Sequence, residues 1–199
     1  MVKLWALCMA ITAVFAAQFD TNEIISYFVE DGKGVPGFRS SDLDLVRMAF
    51  DAWSRESQGR LKFTEAKTRD AALVRIRWIS PNEGLFGETE RVLIDGKRGA
   101  IVNVMPQVAQ HGEPLAGRAT RDVLLRETIV YLTCVHEIGH AIGMPHTRDF
   151  ADIMYFFGFG GDIVEYFMRY RDKLRSRSDI SKHSGLSAGD ASALRERYK

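Results

Sequence analysis

The sequence predicts a single α/β domain, and three observations support this fold class. Short β-branched and aromatic segments alternate with one amphipathic helix over the first 105 residues. From residue 121 onward the apolar residues recur mainly at helical spacing. The 199 residues are 46% hydrophobic and 27% charged, which is the composition of one globular domain with an ordinary core.

The strands are predicted from residue type and from the turn residues that separate them. Residues 24–29 (IISYFV), 60–66 (RLKFTEA) and 72–80 (ALVRIRWIS) have the composition of strands. Residues 84–94 (GLFGETERVLI) contain glycines and charges, so they suit an exposed edge strand. Residues 99–105 (GAIVNVM) are nearly all apolar, so they suit an interior strand.

The predicted helices are the segments whose apolar residues recur every three or four positions. They cover residues 40–57, 121–143, 162–175 and 186–198. Ser40 or Ser41 is the N-cap candidate of the first helix. Ser187 caps the last helix, with Asp190 at its third helical position. Gly143 should end the second helix, because glycine readily takes the left-handed conformation found at helix C-termini.

The N-terminal residues 1–17 predict a secretory signal peptide. Lys3 precedes an apolar run, and small residues stand just before Gln18. The run is shorter than the roughly 20 apolar residues that a spanning helix needs. We therefore expect a secreted protein, or a periplasmic one in a Gram-negative bacterium, whose mature domain is residues 18–199. That domain contains one cysteine, Cys134, so it has no internal disulfide.

The charge distribution indicates no nucleic-acid partner and no stable association with a membrane. The formal net charge is +1, and acidic and basic residues are spread along the chain. A basic cluster at residues 169–177 is interpreted as a solvated helix face. We expect a monomer.

The segment VHEIGHAIGMPH at residues 135–146 holds three of the five histidines. His136 and His140 lie one turn apart on a helix and about 40° apart in azimuth, so both imidazoles can reach one ion. A third ligand must come from outside that turn, and His146 follows the predicted bend at Gly143. Pro145 supports the bend because it disfavours helical geometry in the preceding residue.

Three neutral nitrogen ligands leave one tetrahedral position open, which is typical of a catalytic zinc rather than a structural one. Glu137 is adjacent to His136 and so about 100° round the helix. It is therefore a poor fourth ligand, but it can reach a water at the open position as a general base. The pattern predicts one Zn²⁺ and hydrolytic chemistry.

The sequence HEIGHAIGMPH resembles the H-E-x-x-H-x-x-G-x-x-H motif of metzincin zinc peptidases, and ADIMY supplies the methionine of their methionine turn. Within metzincins the chain is most similar to the matrixins. The resemblance implies a zinc endopeptidase acting on proteins or peptides, with Met154 as a support beneath the metal. Phe156 stands where some metzincins have a metal-binding tyrosine, so a fifth ligand is not expected.

The same resemblance implies the architecture. It predicts a twisted, mostly parallel mixed sheet with packed helices and the active-site helix in residues 18–146. A small helical subdomain with the methionine turn follows in residues 147–199, and the cleft lies between the two parts. Matrixins usually bind structural zinc and calcium before the active helix, but residues 81–105 contain no histidine, so these ions are not expected.

The resemblance also implies how substrate binds. An extended peptide would add as a strand to the edge segment at residues 84–91. Leu132 precedes His136 by one helical turn and points to the same side, and the residues after Met154 offer aromatic walls for an apolar pocket. The candidate substrate-binding residues are Leu85, Phe86, Gly87, Leu132, Tyr155 and Phe156, with Phe157 as a further wall.

Two alternatives remain open from the sequence. A gluzincin-type peptidase would use Glu165 instead of His146 as the third ligand, which would leave Gly143 without a role. A non-catalytic secreted domain would keep zinc structurally, although the presence of Glu137 favours catalysis.

Overall fold

The computed structural model describes residues 18–81 and 86–199. The predicted signal peptide and Leu85 lie outside the described residues. The strands are β1 (Ile25–Val29), β2 (Phe63–Glu65), β3 (Val74–Trp78), β4 (Gly87–Ile94) and β5 (Lys97–Val104). The α-helices are α1 (Asp42–Glu56), α2 (Leu115–Arg121), α3 (Val123–Ala141), α4 (Ile163–Arg171) and α5 (Ala188–Arg197). Short 3₁₀-helices lie at Val108–His111, Phe157–Phe159 and Arg177–Lys182.

The strands form one mixed sheet in the order β2-β1-β3-β5-β4. All neighbouring strands are parallel except β4, which runs antiparallel to β5. The α/β fold class is therefore confirmed. The predicted edge strand is β4 and the predicted interior strand is β5, as their polar and apolar compositions indicate.

The core lies between one face of the sheet and the pair of helices α1 and α3. Strands β1 and β3 bury alternate side chains, as expected for a sheet with one covered face. Trp53 of α1 is fully buried, and its indole nitrogen donates a hydrogen bond to the carbonyl of Val135 at 2.9 Å. This contact joins α1 to α3 one residue before the first candidate ligand.

Helix α3 begins later than the sequence predicts, because Asp122 interrupts the run. Its backbone is extended, and its carboxylate accepts a hydrogen bond from the amide of Leu125 at 3.1 Å. The short helix α2 directly before it was not predicted, since Leu115 is the one large apolar residue among its seven and no apolar stripe is present. Arg126, in the first turn of α3, forms a buried ion pair with Asp42 at the start of α1. The pair fixes the two helices relative to each other.

The C-terminal part of the chain, residues 147–199, differs from the prediction in two details. Helix α4 ends at Arg171 rather than at residue 175. The basic cluster is not a simple solvated face, because Arg171 pairs with Asp122 and Arg177 pairs with Glu127. These ion pairs attach the C-terminal part to α3. Among the described residues, no helix has the length and apolar character needed to cross a membrane.

Candidate active site

The three histidines predicted as ligands converge at the C-terminal end of α3. His136 and His140 lie on successive turns of α3. Gly143 has a φ of 93°, which ends the helix and turns the chain so that His146 returns towards the other two. One ligand nitrogen from each histidine lies within 4.8 Å of the others, and the Nε2 atoms of His140 and His146 are 3.0 Å apart.

Two of these imidazoles are oriented by backbone carbonyls. Nδ1 of His136 donates to the carbonyl of Ile153 at 2.6 Å, and Nδ1 of His140 donates to the carbonyl of Met144 at 3.0 Å. Each hydrogen bond leaves the lone pair of Nε2 free, which is the usual arrangement of a metal-ligating histidine. Burial lowers the pKa of His136 to about 3 and that of His140 to about 4. The neutral, converging nitrogens therefore fit a zinc ion.

Glu137 lies beside the triad, held by strand β4. The hydroxyl of Thr89 donates to its Oε2 atom at 2.8 Å. Burial raises the pKa of Glu137 to about 7, against the opposing effect of the Thr89 hydrogen bond. Gly87 lets the strand come this close, because a Cβ there would lie 2.7 Å from Cγ of Glu137. A carboxylate with a pKa near neutrality can accept a proton and later release it.

Met154 lies buried under α3, as the resemblance implies. Its sulfur packs against Gly139, where a Cβ would lie 2.4 Å from Sδ. The preceding residue, Ile153, connects this turn to the rest of the site. Its amide donates to the carboxylate of Asp190 at 2.7 Å, and its carbonyl accepts hydrogen bonds from His136 and from the hydroxyl of Tyr166.

A cleft of about 440 Å³ runs past the histidines between β4 and the C-terminal part. The described candidate substrate residues all line it: Phe86, Gly87, Leu132, Tyr155, Phe156 and Phe157. Its further lining residues include Glu88 and Thr89, which belong to the predicted edge segment, and Thr133, Tyr166 and Phe167, which were not predicted to line it. The aromatic wall also packs on α4, since the rings of Phe157 and Tyr166 are 4.9 Å apart.

The contacts that were not predicted differ in the sequence signal that was available for them. The sequence predicts Asp190 at the third position of the last helix, but its contact with Ile153 joins segments 37 residues apart and has no local signal. The spacing predicts Tyr166 and Phe167 on a helix, but it carries no signal that this helix reaches the cleft. Thr89 could have been suspected from the strand periodicity, because it alternates with the outward-facing Glu88 and Glu90.

The geometry gives no support to the alternative that uses Glu165 as a ligand. Glu165 is exposed on α4 and does not belong to the cluster of His136, His140 and His146. The histidine that follows Gly143, His146, is instead the residue that clusters with His136 and His140.

A mixed sheet, an active-site helix and a histidine triad over a buried methionine define a metzincin-type domain. The family model described as matrixin, Peptidase_M10, matches residues 21–160. The chain therefore belongs to the matrixin family, which consists of zinc-dependent endopeptidases. A comparison with curated proteins finds no match.

Proposed function

We propose that the chain is a secreted zinc-dependent endopeptidase in which Glu137 is the general base. The observation that carries this proposal is the position of the Glu137 carboxylate. It lies in the cleft with His136 and His140, is held by Thr89, and has a pKa of about 7. Burial disfavours an ionised carboxylate, so a buried carboxylate beside these imidazoles is better explained by a chemical role than by a structural one.

The chemistry follows from the donor set and from this carboxylate. His136, His140 and His146 would hold one zinc ion. Zinc bound there supplies a Lewis acid that polarises the peptide carbonyl and acidifies the attacking water. Glu137 takes a proton from that water as the water oxygen bonds to the carbonyl carbon. Glu137 then gives the proton to the leaving amine as the C–N bond breaks.

The substrate is proposed to be an extended segment of a protein or peptide. Strand β4 is at the edge of the sheet and borders the cleft, so its outer edge can pair with a substrate strand. Main-chain hydrogen bonds would give affinity without sequence preference. Selectivity would come from the apolar pocket formed by Leu132, Tyr155 and Phe156.

Secretion is proposed from residues 1–17, with residues 18–199 as the mature monomeric domain. The subdomain limits remain at residues 18–146 and 147–199, because His146 is the last proposed ligand and the methionine turn follows it. Detection of the mature protein outside the producing cell, with Gln18 or a nearby residue at its N-terminus, would test this part.

The central test compares zinc content and cleavage of a generic unstructured protein for the wild type and the Glu137→Ala variant. We expect the variant to keep zinc and to lose turnover by several orders of magnitude. Glu165→Ala is the matched control and should retain both. His146→Ala should lose zinc. Near-normal turnover in Glu137→Ala would show that another group is the base, and zinc binding without wild-type cleavage would favour a non-catalytic domain.

A further inference from the structure

The three proposed ligands are held in different ways. His136 and His140 each use Nδ1 for a hydrogen bond to a backbone carbonyl. His146 lies beyond the helix on an exposed segment, and its polar contact within the described chain is through Nε2, the atom that faces His140. Its Nδ1 therefore gives the ring no comparable orientation, so another contact must fix the plane of this imidazole.

That contact is with Phe156. The ring centroids of His146 and Phe156 are 4.8 Å apart, with an angle of 29° between the ring planes, which is a stacked arrangement. The backbone holds the two rings side by side, because the amide of Thr147 donates to the carbonyl of Met154 at 2.8 Å. This hydrogen bond aligns His146 with the segment that follows Met154.

The Phe156 ring is itself held from behind. It folds over Gly158, where a Cβ would lie 2.1 Å from its Cε1 atom. Phe159 meets it edge-on at 5.4 Å, and the guanidinium of Arg148 lies 4.4 Å from the centre of the Phe159 ring. A side chain that is 44% exposed is thereby kept in one position against His146.

We propose that Phe156 is a positioning residue for the third zinc ligand. Its ring holds the plane of the His146 imidazole, so that Nε2 points to the same place as the nitrogens of His136 and His140. The stack replaces the hydrogen bond that orients each of the other two ligands. Phe156 has no atom that can ligate a metal, so its effect on zinc binding is exerted through His146. This inference rests on the proposed zinc site.

The experiment measures zinc affinity by competition with a chelator, in the absence of substrate, because Phe156 also lines the cleft. Phe156→Leu removes the aromatic face and should weaken zinc binding about tenfold. Gly158→Ala keeps phenylalanine at position 156, but the added Cβ displaces the Phe156 ring. This variant should therefore weaken zinc binding to a similar extent. Phe156→Trp keeps an aromatic face against His146 and adds no atom that would ligate the metal, so it should retain affinity close to that of the wild type.

Phe150→Leu is the matched control, because Phe150 lies in the same loop and its ring packs on Tyr155 and Tyr166 rather than on Phe156 or His146. It should bind zinc within about twofold of the wild type. The proposal would be overturned by wild-type affinity in both Phe156→Leu and Gly158→Ala, or by an equal loss in Phe150→Leu. A wild-type protein that does not bind zinc would overturn the proposed function as well, so the two failures are distinguishable.

Discussion

At the residue scale, Gly87 has a role that neither charge nor polarity suggests. A Cβ at this position would lie 2.7 Å from Cγ of Glu137 and 2.8 Å from the carbonyl oxygen of Asn103. We expect Gly87→Ala to push the proposed base away from its position and to lower kcat/KM by at least about tenfold, because small displacements of catalytic groups are costly. Steady-state cleavage of a peptide substrate measures this.

Gly117→Ala is the control for that change. Gly117 lies in α2, and the atoms near its added Cβ belong to the flexible carboxylate of Glu113. Alanine is a better helix former than glycine, so this variant should be active and up to about 1 kcal/mol more stable. If Gly87→Ala were as active as Gly117→Ala, the position of Glu137 would not depend on this close approach.

Glu137 also predicts a stability effect in the zinc-free protein. Burial raises its pKa from 4.5 to about 7, so folding opposes its ionisation. The free energy of unfolding of the wild type should therefore fall relative to that of Glu137→Gln as the pH rises from about 4.5 to 7. The difference should reach at most about 3 kcal/mol and stay constant at higher pH. Urea unfolding of both proteins, after a chelator has removed zinc, measures the difference across this pH range. A pH-independent difference would show that the buried carboxylate carries no such penalty.

At the element scale, the last helix supports the methionine turn from a distance. Ser187 and Asp190 form the capping box of α5, and the same carboxylate accepts from the amide of Ile153. Asp190→Ala should therefore lower the free energy of unfolding by about 2–4 kcal/mol, because it leaves buried donors unpaired. It should also weaken zinc binding, since the carbonyl of Ile153 orients His136. Denaturant unfolding and chelator competition measure the two effects.

The chain contains a second capping box that serves as the control. Ser176 and Asp179 cap the 3₁₀-helix at Arg177–Lys182, and their side chains do not contact the methionine turn. Asp179→Ala should leave zinc affinity unchanged. An equal loss of zinc affinity in both variants would mean that capping in general, and not the contact with Ile153, supports the site.

The elements that could be predicted were those with a local signal. The periodicity behind α1 and α3 and the caps at Ser187 and Asp190 follow from nearby residues. The edge strand was visible because it alternates charges with smaller residues. Helix α2 carries no apolar stripe of useful length, and the break at Asp122 depends on a single side-chain cap. Both were therefore missed.

At the scale of the whole molecule, the site is assembled from both parts of the chain. Helix α3 supplies Glu137 and two of the proposed ligands, and strand β4 supplies Thr89. The part after His146 supplies the methionine turn and further residues that line the cleft. The matrixin match ends at residue 160, yet α4 and α5 lie beyond it and contact Ile153 through Tyr166 and Asp190. The C-terminal 39 residues, 161–199, are thus part of the site's support.

The motif made the proposed ligands predictable because they lie within 11 residues and their geometry is that of one helix and one bend. The residues that surround the proposed ligands and Glu137 could not be predicted in the same way. Thr89 reaches Glu137 across 48 residues, and Tyr166 and Phe167 reach the cleft only through the packing of α4. Such contacts depend on the tertiary fold rather than on spacing along the chain.

The cleft between the two parts predicts which residue is preferred just after the cut. Its walls beside the histidines are apolar, with Leu132 on one side and aromatic rings that include Phe167 on the other. Each buried methylene contributes about 0.8 kcal/mol, so leucine over alanine should favour cleavage by about 2 kcal/mol, or thirtyfold. Profiling a peptide library measures this preference. A preference for charged residues at this position, or none, would show that the aromatic wall only packs against α4.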